Sequence, residues 1–223
     1  MKNKLILKGY IGFSIIYLLI TLFEFEKFAG YLKPFLIVFL LLAVYFSAKF
    51  DSKKILLSAL LFSWIGDNIL LFADRGELYF ILGLVSFLLS HLIYIIVFKM
   101  QLESNNTINK VTYWSGVCVI LIYFTSMIFT LFPKLGPLKI PVLVYAMVIT
   151  TMLYFAFKGS LKWDKKAGDS VLLGALFFVS SDSILAFNKF YSPIPLNSFL
   201  IMATYIAAQY FIVNGILNLN EKK

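Results

Sequence analysis

Long apolar runs separated by short polar segments make up most of this chain. Each run approaches the roughly 20 predominantly apolar residues that a membrane-spanning helix needs. The predicted spans are residues 9–24, 35–50, 55–73, 78–98, 111–132, 140–158, 168–187 and 197–218. We therefore expect an all-α, polytopic integral membrane protein with eight transmembrane helices that form a single domain over residues 1–223.

Prolines and polar clusters set the predicted boundaries of these helices. Pro34 is expected in the first turn of the second helix, where a missing N–H costs nothing. Asp74–Glu77 predicts a tight turn between the third and fourth spans, and Gln101–Asn109 predicts the clearest polar loop. Tyr191–Pro195 separates the last two helices. These short connections leave no room for a separate soluble domain.

The composition agrees with a membrane protein and argues against disulfides and against some kinds of metal centre. Of the 223 residues 61% are hydrophobic and 14% are charged, and the mean hydropathy is +0.90. Soluble domains have about 45–50% apolar and about 25% charged residues. The single cysteine, Cys118, and the single histidine, His91, argue against disulfides and against thiolate or histidine-rich metal centres. We expect no metal and no cofactor.

The net charge of +9 comes from lysines at the ends of loops. With eight spans both termini lie on one side of the membrane, and that side carries most of the Lys and Arg residues. The positive-inside rule therefore places both termini in the cytoplasm. This distribution explains the charge without a nucleic-acid partner. The Lys-, Ile-, Asn- and Phe-rich composition favours a bacterial inner membrane.

Two similar segments each place an aspartate inside an apolar run. Residues 62–72 and residues 177–187 align on Asp67 and Asp182. In both segments aromatic residues form the ends, a small residue precedes the aspartate and a small polar residue follows it. An ionisable side chain inside a membrane is costly and normally marks a functional site. Asp67 and Asp182 are therefore the strongest functional candidates.

The spacing of the two aspartates indicates an internal repeat of four plus four helices. The predicted halves are approximately residues 1–105 and 106–223. Repeats of four helices keep the same membrane orientation, so both aspartates are expected at similar depth and could converge on one cavity. A structural polar pair that holds two helices together is the alternative interpretation of the same two residues.

Several motifs, in order along the chain, resemble the YhhN (lysoplasmalogenase) family of eight-span membrane proteins. The matching residues are Lys33-Pro34, Gly66-Asp67, Gly83, Ser90 to Tyr94, Pro141, Tyr145, Gly174-Ala175, Ser181-Asp182-Ser183, Asn188, Phe190, Tyr205 and Ala208-Gln209. The resemblance implies hydrolysis of the vinyl ether bond of lysoplasmalogens to a fatty aldehyde and glycerophosphocholine or glycerophosphoethanolamine. The family's catalytic aspartates would correspond to Asp67 and Asp182.

The implied reaction suits two carboxyl groups. Vinyl ether hydrolysis needs a proton on an alkene carbon, which gives an oxocarbenium ion, and then water on that cation. One protonated and one ionised aspartate could supply the acid and the base. Which aspartate has which role is left open. The candidate substrate-binding residues are Lys33, Asn68, His91, Tyr94, Tyr145, Ser181, Asn188, Tyr205 and Gln209.

Simpler interpretations apply to several of these residues. Lys33 is expected either to bind the substrate phosphate or to anchor its helix at the membrane surface. His91 is expected either to line the cavity or to serve helix packing. Serines in spans often bond their own backbone instead of orienting a carboxyl group.

Two other functions use the same pair of aspartates. A small proton-coupled transporter and a lipid-binding membrane protein without chemistry are the alternatives to the hydrolase. The spans that carry the aspartates lack the paired Gly/Pro interruptions of broken transporter helices, which favours the hydrolase. Its partners would be a lysophospholipid substrate and the bilayer. The headgroup preference and the oligomeric state are open.

Overall fold

The computed structural model describes residues 2–102 and 109–221 of the chain. These residues form eight α-helices, joined by short turns that include three single-turn 3₁₀ helices at Ala73–Arg75, Phe132–Lys134 and Gly136–Leu138. The α-helices are α1 (Lys2–Leu22), α2 (Glu26–Tyr45), α3 (Lys53–Leu70), α4 (Glu77–Met100), α5 (Lys110–Leu131), α6 (Lys139–Ser160), α7 (Lys165–Phe190) and α8 (Asn197–Glu221).

Seven helices in the described part of the chain are long and apolar enough to cross a membrane. The remaining one, α3, has 18 residues and includes Lys53, Lys54 and Asp67. The expected all-α, polytopic membrane class is confirmed. Eight spans, the internal repeat and the cytoplasmic termini stay predictions.

The chain divides into two compact units, Met1–Val97 and Phe98–Lys223. The first contains α1 to α3 and most of α4, and the second contains the end of α4 with α5 to α8. The predicted boundary between repeat halves, at residues 105 and 106, lies outside the described residues, as does most of the predicted polar loop Gln101–Asn109. Each unit is described by itself below.

In the first unit, α1 buries a face that is mostly polar. The buried residues recur at spacings of three and four, as expected for one face of a helix. They are Asn3, Leu7, Tyr10, Ser14, Tyr17 and Thr21. Its exposed positions include Leu5, Ile11, Ile15 and Leu19. A helix with its apolar side outward suits a hydrocarbon surrounding, so the polar interior of this unit begins at α1.

The position of Pro34 corrects the sequence-based prediction. Helix α2 begins at Glu26, so Pro34 lies inside the helix and the expectation that it occupies the first turn was wrong. The chain turns at Glu24, with φ +61°, immediately after α1. The next helix can therefore start at Glu26, eight residues before Pro34. Proline has no N–H, so the carbonyl of Gly30 loses its usual helical donor. Membrane helices tolerate this where neighbouring side chains compensate.

Hydroxyl groups fasten α3 to α4. Ser63 and Ser90 share a hydrogen bond of 2.7 Å, and Ser86 donates to the carbonyl of Phe62 at 2.6 Å. A Cβ added at Gly66 would lie 2.8 Å from the ring of Phe87, so the glycine allows this ring to pack against α3. The residue after this close contact is Asp67, whose backbone position is fixed by the α3–α4 packing.

In the second unit, α7 and α8 pack most closely. A Cβ added at Gly174 would lie 2.7 Å from the backbone nitrogen of Ile212 and 2.8 Å from the carbonyl oxygen of Ala208. Helix α6 packs against α7, and α5 packs against α6. The close packing of α8 thus fixes the position of α7, and side chains of α5 and α6 contact the middle of α7.

Candidate functional site

Asp67 forms a buried ion pair with Lys33. The ammonium nitrogen of Lys33 lies 3.5 Å from Oδ1 of Asp67, and the two side chains are 14% and 3% exposed. Helix α2 supplies the lysine and α3 supplies the aspartate. A carboxylate is costly to bury unless a partner compensates its charge, and the ammonium group provides that partner. Lys33, selected from the sequence as a candidate for phosphate binding, therefore contacts a predicted catalytic residue.

One hydrogen bond beside the ion pair links α3 to α2, and another lies within α3. The indole nitrogen of Trp64 donates to the carbonyl oxygen of Pro34 at 2.8 Å, adjacent to Lys33 in sequence. Asn68 donates to the carbonyl oxygen of Trp64 at 2.7 Å. The amide of Asn68 thus bonds its own helix. The role of Asn68 in substrate binding stays a prediction.

Two tyrosines of α1, missed in the sequence, lie near enough to Asp67 to interact with its charge. Tyr10 and Tyr17 are 1% and 3% exposed and interact electrostatically with the Asp67 carboxyl group. Tyr10 also interacts with Tyr94 of α4, which brings that predicted residue into the same cluster. The sequence did contain an indication of them. Polar residues recur at spacings of three and four along α1, on one face of an otherwise apolar helix.

Ser14 lies on α1 between these two tyrosines. It is buried, and its hydroxyl group interacts with the hydroxyl group of Tyr10, one turn earlier on the same face of α1. His91, on α4 of the same unit, is fully buried. Its predicted part in substrate binding is untested.

In the second unit, Asp182 accepts a hydrogen bond from a tyrosine. The hydroxyl of Tyr145, on α6, donates to Oδ2 of Asp182 at 2.5 Å. The structure therefore brings together two residues that the sequence singled out. Asp182 is half-buried, in contrast to the fully buried Asp67.

A second tyrosine, Tyr123 of α5, reaches the same turn of α7. Its hydroxyl is hydrogen-bonded to Ser183, and it interacts electrostatically with Asp182. Ser183 in turn donates to the carbonyl oxygen of Val179 at 2.5 Å. Tyr123 was missed because tyrosine is common in this chain, and no motif marked this one.

The other predicted residues of the second unit make different contacts. Ser181 donates to the carbonyl oxygen of Ile201 at 3.0 Å, which links α7 to α8. Asn188 accepts from the backbone nitrogen of Ile194 at 2.9 Å and so stabilises the turn after α7. Gln209 donates to the hydroxyl of Tyr205 at 3.4 Å within α8. Their roles in substrate binding stay predictions.

Comparisons with known proteins identify relatives that match most of this chain. A model of the YhhN family matches residues 28–216. The human lysoplasmalogenase TMEM86A is 36% identical over 160 residues, which cover 69% of this chain and 61% of the relative. The bovine lysoplasmalogenase TMEM86A is 34% identical over 160 residues, 69% of this chain and 61% of the relative. The mouse lysoplasmalogenase TMEM86B is 28% identical over 163 residues, 73% and 63% respectively.

The chain spans about three fifths of the length of these curated relatives. No solved structure gives a significant match. The matched region begins in α2 and ends in α8, and it contains both aspartates together with Lys33 and Tyr145. A family match over most of its length, and relatives of up to 36% identity, show that this chain belongs to the YhhN family.

Proposed function

We propose that this protein hydrolyses the vinyl ether bond of lysoplasmalogens within the membrane. The substrates would be 1-alkenyl-glycerophosphocholine or 1-alkenyl-glycerophosphoethanolamine, and the products a fatty aldehyde and the glycerophospho-headgroup. The family relatives are named lysoplasmalogenases, which supports this substrate class. The observation that carries the proposal is that each unit presents one aspartate inside an apolar helix, each with a different kind of partner.

The partners suit the two roles that the reaction needs. An ammonium group beside Asp67 favours the ionised carboxylate, whose negative charge stabilises an oxocarbenium ion and accepts a proton from water. The hydroxyl group of Tyr145 donates a hydrogen bond to Oδ2 of Asp182. A proton carried by Oδ1 of Asp182 can then be given to the alkene carbon of the substrate. Asp182 would thus be the acid and Asp67 the base.

The accessibility of the two carboxyl groups agrees with this division. The acid must touch the substrate carbon that it protonates, and Asp182 is half-buried. Asp67 is nearly inaccessible and is held by Lys33, so as the base it would contact a water molecule and not the substrate carbon itself. Lys33 would then act by keeping Asp67 ionised, and binding of the substrate phosphate by Lys33 is the competing proposal.

The remaining predicted residues complete the proposal as substrate contacts. These are Asn68, His91, Tyr94, Ser181, Asn188, Tyr205 and Gln209. A single-chain lipid would reach the protein from the bilayer. We further propose that both termini are cytoplasmic and that the membrane is a bacterial inner membrane, because lysines concentrate on one predicted side.

The proposal is tested by measuring fatty aldehyde released from a lysoplasmalogen by the purified protein in detergent. Asp67→Asn and Asp182→Asn should each lower turnover by about 10²–10⁴-fold, the usual contribution of an acid or base group. Asp169→Asn is the matched control, because Asp169 is an exposed aspartate on the same helix as Asp182. It should leave turnover unchanged.

Binding separates the hydrolase from its alternatives. Folded Asp67→Asn and Asp182→Asn proteins should still bind the lysolipid, since neither change removes the apolar surface that holds its chain. A folded wild-type protein that releases no aldehyde would refute the proposal. Loss of proton coupling in the variants would then favour the transporter, and unaltered lipid binding without chemistry would favour the lipid-binding protein.

A further inference from the structure

The hydroxyl group of Tyr123 makes a hydrogen bond whose direction the structure fixes. It is bonded to Oγ of Ser183, and a hydroxyl group has a single hydrogen to donate. Ser183 donates its hydrogen to the carbonyl oxygen of Val179 at 2.5 Å, and a carbonyl oxygen can only accept. Tyr123 is therefore the donor to Ser183, and its own oxygen is left with the capacity to accept a hydrogen bond.

This acceptor is reachable from the lipid-facing side of α5. Among residues 2–102 and 109–221, the Tyr123 oxygen makes no second hydrogen bond. The Tyr123 side chain is half-buried, and Leu121 and Ile122, just before it, are exposed. A polar atom in an apolar surrounding is costly unless it is hydrogen-bonded. A lipid that brings a hydroxyl hydrogen to this place would therefore gain a hydrogen bond.

The position of this acceptor relative to Asp182 follows from hydrogen bonds within the second unit. Ser183 is the residue after Asp182, and consecutive Cα atoms lie about 3.8 Å apart. Tyr145 of α6 donates to Oδ2 of Asp182 at 2.5 Å, while Tyr123 of α5 donates to Ser183. The two tyrosines thus bond to neighbouring residues of the same turn of α7. A substrate whose alkene carbon contacts Asp182 has its adjoining polar groups near the Tyr123 oxygen.

A lysoplasmalogen has a free hydroxyl group close to its reacting bond. The middle glycerol carbon carries it, and that carbon is joined to the vinyl ether oxygen through the first glycerol carbon. An intact plasmalogen has an acyl chain there and no hydrogen to donate. We propose that Tyr123 accepts a hydrogen bond from this middle hydroxyl group and thereby selects lysolipids. This inference rests on the proposed hydrolase function and adds a specificity-determining residue to it.

The test measures how tightly the full-length protein in detergent binds three lipids that it cannot hydrolyse. All are saturated 1-alkyl-glycerophosphocholines, which lack the alkene that must be protonated. The middle glycerol carbon carries a hydroxyl group in one lipid, only hydrogen in the deoxy lipid and a methoxy group in the methoxy lipid. The methoxy lipid keeps the oxygen but cannot donate. Isothermal titration calorimetry gives the three dissociation constants.

The wild type should bind the hydroxyl lipid about fivefold more tightly than either analogue, the effect of one hydrogen bond. Tyr123→Phe keeps the aromatic ring and should bind the three lipids equally. Tyr113→Phe is the matched control, because Tyr113 also lies on α5 and bonds a residue of α6, Tyr154, at 2.7 Å. It lies about 15 Å from Tyr123 along the helix and should keep the wild-type preference. A folded Tyr123→Phe protein with the wild-type preference, or a wild type without one, would overturn the inference.

A second variant, Ser183→Ala, tests the direction of the hydrogen bond and keeps the test decisive if Tyr123→Phe does not fold. Without the Ser183 oxygen, the hydrogen of Tyr123 can be donated to a ligand. The methoxy lipid should then bind as tightly as the hydroxyl lipid, while the deoxy lipid stays about fivefold weaker. The wild-type order of affinities in Ser183→Ala would contradict the inference.

The binding experiment separates this inference from the proposed function, because none of its lipids is hydrolysed. If the wild type shows a Tyr123-dependent preference for the hydroxyl lipid but releases no aldehyde from a lysoplasmalogen, the hydrolase function fails and the recognition by Tyr123 stands. If the wild type releases aldehyde and Tyr123→Phe keeps the preference, the recognition by Tyr123 fails alone.

Discussion

Replacement of Lys33 by methionine should destabilise the protein because it leaves Asp67 buried without a compensating charge. The two charges lie 3.5 Å apart. At an effective dielectric constant of about 20 they attract each other by about 5 kcal/mol. Desolvation of both groups offsets part of this, and loss of one partner of a buried pair costs about 3–5 kcal/mol. We expect Lys33→Met to lower the free energy of unfolding by about 3 kcal/mol.

Two more variants, Asp67→Asn and the double variant Lys33→Met/Asp67→Asn, test whether the loss of stability comes from the ion pair of Lys33 and Asp67. Asp67→Asn should cost less than Lys33→Met, because the long side chain of Lys33 can extend toward water whereas Asp67 cannot. The double variant should lie within about 1 kcal/mol of wild type, because neither unpaired charge is then buried. The double variant should recover stability without recovering turnover.

The assay is equilibrium unfolding in mixed detergent micelles, followed by circular dichroism. Lys27→Met is the matched control, because Lys27 is an exposed lysine of the same helix. It should change the free energy of unfolding by less than about 0.5 kcal/mol. A Lys33→Met protein as stable as this control, or a double variant whose losses simply add, would refute the interpretation of Lys33 and Asp67 as a stabilising ion pair.

Three further changes test separate parts of the structure. Tyr145→Phe should lower turnover with little change in lysolipid affinity, because it removes the hydrogen bond to Asp182 and keeps the aromatic ring; a kcat equal to wild type would contradict this. Gly174→Ala should lower the melting temperature sharply since its Cβ would meet backbone atoms of α8, whereas Gly12→Ala, with nothing within 4 Å, should be neutral or better in the same thermal melt. Trp64→Phe should cost about 1 kcal/mol in chemical unfolding through loss of its bond to α2, and no loss would show that this bond is not stabilising.

The sequence predicted the helices well because hydrophobic runs of membrane length have few alternative structures. It predicted their ends less well. Helix α2 starts at Glu26 and includes charged residues that look like a loop when only hydropathy is considered. Pro34 was therefore placed in a first turn that lies eight residues earlier. A membrane helix can extend beyond the hydrocarbon region, and the hydropathy of the sequence does not show at which residue the helix then ends.

The candidate site was predicted in its residues but not in its pairings. Asp67, Asp182, Lys33 and Tyr145 were all selected, yet nothing in the chain linked the lysine to the first aspartate, since that contact depends on how α2 packs against α3. Tyr123 reaches its turn of α7 through the packing of α5, which no local motif encodes. In a chain with 24 phenylalanines and 13 tyrosines, an aromatic side chain carries little information by itself.

The polar inner face of α1 has a consequence for how the protein is made. This helix leaves the ribosome before α2 and α3, so its buried tyrosine, serine and threonine side chains enter the membrane before their neighbours exist. Contact of these groups with lipid is costly, which favours retention of α1 beside the insertion machinery until α2 and α3 arrive. The first unit, Met1–Val97, contains α2, against which α1 packs, and α3, which carries Asp67. The packing of α1 against α2 can therefore begin before the second unit is synthesised.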